Sequence, residues 1–94
     1  MSFLIERRLR LVGRRLASLR EELTITDEQL GHLADLTDDS RIRAMVSETP
    51  LADEEHREAE RTPSAMARHR VDPADTSARL AAEQDELLDQ LSAR

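Results

Sequence analysis

Apolar residues recur at Ile5, Leu9, Val12, Leu16, Leu19, Leu23, Leu30 and Leu33, in alternating steps of three and four that keep returning to one side of a helix. A stripe this narrow is the a/d pattern of a coiled-coil seam. It predicts a long amphipathic helix with a second helix laid against it. The sequence supports that reading by what it lacks: Phe3 is the one aromatic residue and there is no Trp, Tyr or Cys. A core without aromatics is built most readily from Leu and Ala between helices, so the expected fold class is all-α, an antiparallel helical hairpin or coiled coil. At 94 residues the chain is one domain at most, expected to be dimeric or docked on a partner because a two-helix seam stays half exposed.

Residues 2 to 46 read as the first arm. Gly13 weakens it locally by up to about 1 kcal/mol relative to Ala. Thr24 to Gln29 is a second weak point, since Thr26 and Gln29 have capping-box spacing, but the heptad runs across it and favours one continuous helix. The strongest punctuation is Ser47-Glu48-Thr49-Pro50, with Thr49 suited to cap a helix and Pro50 to begin one, so a turn is expected at residues 47 to 49. The second arm then runs from 50 to 93. Thr62-Pro63 and Asp72-Pro73 repeat the cap-then-proline pattern and predict breaks or kinks there, with residues 53 to 79 the stretch readiest to fray.

A chain that turns at residue 48 pairs Leu9 with Leu87, Leu16 with Leu80, Leu23 with Pro73, Leu30 with Met66, Thr37 with Ala59 and Ala44 with Ala52, each step of seven forward matching one backward. Leu91 extends the second arm's side of the seam. Charge agrees with this register. Residues 1 to 20 carry six Arg against Glu6, net +5, and residues 75 to 94 carry five acids against Arg79 and Arg94, net -3. Neutralisation between the arms is the simplest use of these charges. With about 45 residues per arm, the expected hairpin is a rod of roughly 65 to 70 Å.

No pattern carries catalysis. There is no Gly-rich phosphate loop, nucleophile elbow, plausible triad or HExxH spacing, and the absence of Cys excludes thiolate zinc sites, disulfides and cysteine nucleophiles. His32, His56 and His69 read as solvated surface residues. The chain is therefore expected to be no enzyme and to hold no cofactor or metal. Asp35-x-x-Asp38-x-Ser40 resembles the Asp-x-x-Asp-x-Ala pattern at acidic tips of coiled-coil hairpins that enter RNA polymerase and hold Mg²⁺, but the expected turn lies about ten residues beyond it. Residues 27 to 43 touch a helix-turn-helix pattern whose reading helix would begin Asp38-Asp39, charges that repel phosphate.

Arg7, Arg8, Arg10, Arg14 and Arg15 form the best patch for an external partner. Self-association or a larger protein is favoured as that partner. Nucleic acid is disfavoured by the net charge of -6 and the missing aromatics, and peripheral membrane contact through Phe3, Leu4 and Leu11 ranks below a protein partner. Arg14 to Ser18 also fits a basophilic kinase site. No apolar run approaches the roughly 18 residues of a membrane span, and the Arg-rich start continues the heptad instead of ending at a cleavage site, so a cytoplasmic protein is expected.

All 14 basic residues are Arg, which fits a high-GC bacterial coding sequence. The run from Leu23 to Glu60, especially Asp38 to Ala52, resembles small actinobacterial coiled-coil proteins of no established activity; the resemblance implies a helical hairpin and carries no function with it. The chain also resembles the small helical hairpins exported by type VII secretion, but lacks their Trp-x-Gly turn and C-terminal Tyr-x-x-x-acid signal. The expected function is a coiled-coil interaction, scaffold or adaptor module. A small transcription-related regulator and an exported type VII-like hairpin are the alternatives.

Overall fold

The computed structural model describes residues 2–93. It is an all-α helical hairpin of two helices, α1 (Ser2–Ser47) and α2 (Pro50–Ser92). No helix among the described residues is long and apolar enough to cross a membrane. Helix α1 passes through Gly13 and through Thr24 to Gln29 without interruption, so the capping-box spacing there starts no new helix.

Only Glu48 and Thr49 lie outside helix between the arms. Glu48 takes the left-handed conformation, φ 50°, and its N–H donates to the Ala44 carbonyl at 3.1 Å. This is the αL termination that glycine usually supplies. Thr49 then caps α2: its Oγ1 accepts the Ala52 N–H at 3.2 Å, and its carbonyl accepts the Asp53 N–H at 3.1 Å. Pro50 occupies the first helical position, where its missing N–H costs nothing.

The expected breaks at Pro63 and Pro73 do not occur, and α2 is helical through both and through the stretch expected to fray. A proline inside a helix deprives the carbonyl four residues earlier of its donor. For Pro63 that carbonyl belongs to Ala59, and the Thr37 hydroxyl reaches it from α1 at 3.1 Å. The same hydroxyl lies 2.9 Å from the Leu33 carbonyl, so its single proton is shared between the two arms. For Pro73 the carbonyl belongs to His69, an exposed residue beside which water can serve as donor.

Contacts gather the chain into two units, one joining the chain up to Leu23 with the chain from Val71 onward, the other spanning Thr24–Arg70. In the first, Val12, Leu16 and Leu19 are buried to 2% exposure or less. Ile5, Leu9 and Leu23 on α1 and Leu80, Leu87 and Leu91 on α2 are half-buried around them. In the second, the buried side chain is a serine, Ser40, with Leu30, Leu33, Thr37 and Ala44 of α1 half-buried.

Candidate interaction surfaces

In the first unit the arms are tied by a bidentate pair. Arg8 Nε donates to Glu83 Oε1 at 2.8 Å and Arg8 Nη2 to Glu83 Oε2 at 2.9 Å. The hydrogen bond from the guanidinium, reinforced by its charge, holds the Glu83 carboxyl below the ordinary range. The expected wholesale neutralisation of the N-terminal arginines by the second arm does not follow. Arg7, Arg10, Arg14 and Arg15 are exposed and make no ion pair among the described residues. The reason is geometric for Arg7, Arg10 and Arg14, which lie farther round α1, away from the arm packed against it; Arg15 borders the seam one heptad from Arg8, and one heptad back from Glu83 the second arm carries Thr76 in place of a carboxylate. Asp85, Glu86 and Asp89 on α2 are likewise exposed and unpaired among the described residues. Phe3, Leu4 and Leu11 stand among the free arginines at 61%, 66% and 45% exposure.

The second unit has its own bidentate tie, Arg70 to Asp27, with Nε–Oδ1 2.6 Å and Nη2–Oδ2 3.1 Å. The Arg70 hydrogen bond lowers the Asp27 pKa. Beyond it lies a polar relay that the sequence reading missed. Ser40 Oγ lies 2.8 Å from the Thr37 carbonyl and 3.0 Å from His56 Nδ1, and His56 Nε2 lies 2.9 Å from Glu60 Oε1. With the Nε2 proton directed to Glu60, the Ser40 hydroxyl proton is shared between the Thr37 carbonyl and Nδ1. His56 is thus no solvated surface histidine; its side chain is 20% exposed and held at both nitrogens. The signal was available in the hairpin register, which sets residue 40 opposite residue 56, and in the one-turn spacing of His56 and Glu60.

Serine, histidine and glutamate in a row share the residue types of a hydrolase triad, but Ser40 is 4% exposed on the inner side of a helix, with its hydroxyl proton divided between a backbone carbonyl and the imidazole. The open concavity of about 450 Å³ lined by Glu28, Gln29, His32, Leu33 and Met66 does not include it, nor does that of about 510 Å³ lined along α2 from Arg57 to Arg68. Among the described residues no three His, Asp or Glu side chains converge as a metal site requires. Asp38 pairs with Arg41 at 3.5 Å on an exposed face. Around the turn Ile42, Met45, Val46 and Leu51 are all exposed by more than half. No family model, curated protein or solved structure matches the chain.

Proposed function

We propose that this chain is a non-enzymatic helical-hairpin interaction module, a scaffold or adaptor that pairs its arms as a coiled coil and recruits a second copy or a larger protein in the cytoplasm. One observation carries the reading: among the described residues, eleven large apolar side chains are exposed against three that are buried. Scattered singly such residues need no explanation, but here seven of the eleven gather, around the turn and on the outer side of the Arg-rich end of α1. Exposed apolar helix faces flanked by charge are the surfaces that partner helices or grooves cover. Affinity capture with the intact chain tests the proposal. A protein recovered with the wild type and lost with Ile42→Asp/Met45→Asp or with Leu4→Asp/Leu11→Asp is expected. Turnover of a small-molecule substrate by the purified chain, with no protein retained, would sink it.

A further inference from the structure

Within the first unit the two helices carry opposite charge on the sides turned away from their seam. On α1, Leu4, Arg7, Leu11 and Arg14 follow each other in steps of three and four, a second stripe whose members are all exposed, with Arg10 beside it. On α2, Ala78, Ala82, Asp85 and Asp89 follow in steps of four and three, also all exposed, with Glu86 beside them. The free arginines and the free carboxylates have no ion-pair partner among the described residues. Intramolecular pairing cannot reach them, because each stripe lies on the far side of its own helix from the other arm.

We infer that these two stripes are the two halves of one interface, and that the occupant of each is a second copy of this chain, the basic back of α1 in one copy lying along the acidic back of α2 in the next. This rests on the interaction-module reading and names its partner. Charge complementarity decides the occupant. Three arginines of the α1 stripe and its border meet three carboxylates of the α2 stripe and its border, so self-association cancels charge that an anionic lipid surface would cancel on α1 only while repelling the acidic arm beside it. Shape agrees. Ala78 and Ala82, one turn apart and without long side chains, leave a hollow on α2 that Leu4 or Leu11 can enter, and that desolvates the flanking ion pairs. Because the two halves are different surfaces, the contact is heterologous: a copy bound through its basic back still offers its acidic back, so assembly continues beyond two.

Sedimentation velocity on the full chain tests this with two triple variants at exposed positions, Arg7→Gln/Arg10→Gln/Arg14→Gln and Asp85→Gln/Glu86→Gln/Asp89→Gln, whose helicity is checked by circular dichroism. The wild type is expected to pass from monomer to dimer and larger species as concentration rises, and to weaken about tenfold when salt is raised enough to screen the pairs. Each variant alone is expected to stay monomeric. Their mixture is expected to form a one-to-one pair and nothing larger, since each keeps the half the other has lost. Leu11→Gln supplies a single-site check and is expected to weaken the assembly with every charge retained. A wild type that stays monomeric, or either triple variant assembling like the wild type, overturns the inference. Wild type that binds phosphatidylserine vesicles while staying monomeric also overturns it, assigning the basic back to lipid. A monomeric hairpin that still captures a different protein removes this inference and leaves the interaction-module reading standing.

Discussion

Between Ile5 and Leu23 the seam positions of α1 are filled by Ile, Leu and Val, and three of them are buried; between Leu30 and Ala44 the same heptad positions pass to Thr37, Ser40 and Ala44, and the buried side chain is a serine. The facing arm changes in step. Leu80, Leu87 and Leu91 serve the first unit, whereas His56, Ala59 and Pro63 serve the second. The apolar unit supplies free energy, on the order of 1.5 to 3 kcal/mol for each fully buried aliphatic side chain. Its leucines, however, would accept a neighbour one heptad away nearly as well. The polar unit adds little energy and much register, because Thr37 meets the Ala59 carbonyl, and Ser40 meets His56, in one alignment only. A hairpin needs both kinds of contact, and here they occupy different stretches of the same two helices.

The largest effect that tests this division is expected at Leu16. Truncation to Ala should cost about 2 to 4 kcal/mol because the side chain is 1% exposed, while Leu30→Ala, at a half-buried seam position of the second unit, should cost distinctly less. Urea unfolding of both variants measures the difference. Equal losses would mean that the two units contribute alike and would break the comparison. Cysteines placed at positions 9 and 87 should cross-link within one chain; cross-links formed only between chains would assign the seam to a parallel dimer instead.

Next in size is Thr37→Val, which keeps the shape and removes the hydroxyl that serves the Ala59 carbonyl. The expected loss is about 1 to 2 kcal/mol, the range for a buried acceptor left without its donor. Adding Pro63→Ala to Thr37→Val should return most of that loss, because position 63 regains the N–H that the Ala59 carbonyl lacks. A double-mutant cycle reads the coupling directly. Independent effects at the two sites would show that Thr37 does not compensate for the proline.

That coupling also marks where local reading stops. The Leu stripe and the Thr49-Pro50 cap announce themselves within a few residues, and they were sufficient for two helices and the place of the turn. The breaks expected at Pro63 and Pro73 follow from equally local signals, but the donor that the Ala59 carbonyl lacks because of Pro63 comes from a hydroxyl on the other arm, 22 residues from Ala59. The relay escaped for a similar reason: Ser40 looked like the end of an acidic patch and His56 like one more exposed imidazole until the arms were set in register. In the N-terminal patch the arginines were legible as a surface. Which of them bends back to a carboxylate depends on angular position around α1 and on the residue at the matching place on α2, Glu83 for Arg8 and, one heptad along, Thr76 for Arg15, and net charge along the chain does not carry that information.

A smaller effect, of opposite sign, is expected at the turn. Glu48 holds φ 50°, a conformation that costs an L-residue with a side chain roughly 1 kcal/mol or more. Glu48→Gly should relieve most of this, offset in part by the extra freedom of glycine in the unfolded chain, for a net gain of up to about 1 kcal/mol. Hydrogen exchange should show the gain in slower opening of amides in the second unit, which contains the turn. Slower exchange confined to residues before Leu23 would contradict the separate treatment of the two units.

The smallest effect belongs to what the units share, one bidentate Arg–carboxylate tie each. Both carboxyls are held below their ordinary values, Glu83 from 4.5 and Asp27 from 3.8, chiefly by the guanidinium hydrogen bond. Folded chains therefore release these protons at a pH where unfolded chains still hold them, so the stabilisation is complete above the unfolded values and declines as pH falls through the folded ones. The wild type should lose stability to acid starting below about pH 4.5 for Glu83 and below about pH 3.8 for Asp27. Glu83→Gln and Asp27→Asn should each flatten that decline in its own window, and should leave the slope between about pH 5 and pH 7 unchanged. Because both pairs are exposed, added salt should shrink the two effects together. A salt-resistant difference at one site alone would mean that its tie is shielded from solvent, making the units unlike in electrostatics as well as in packing.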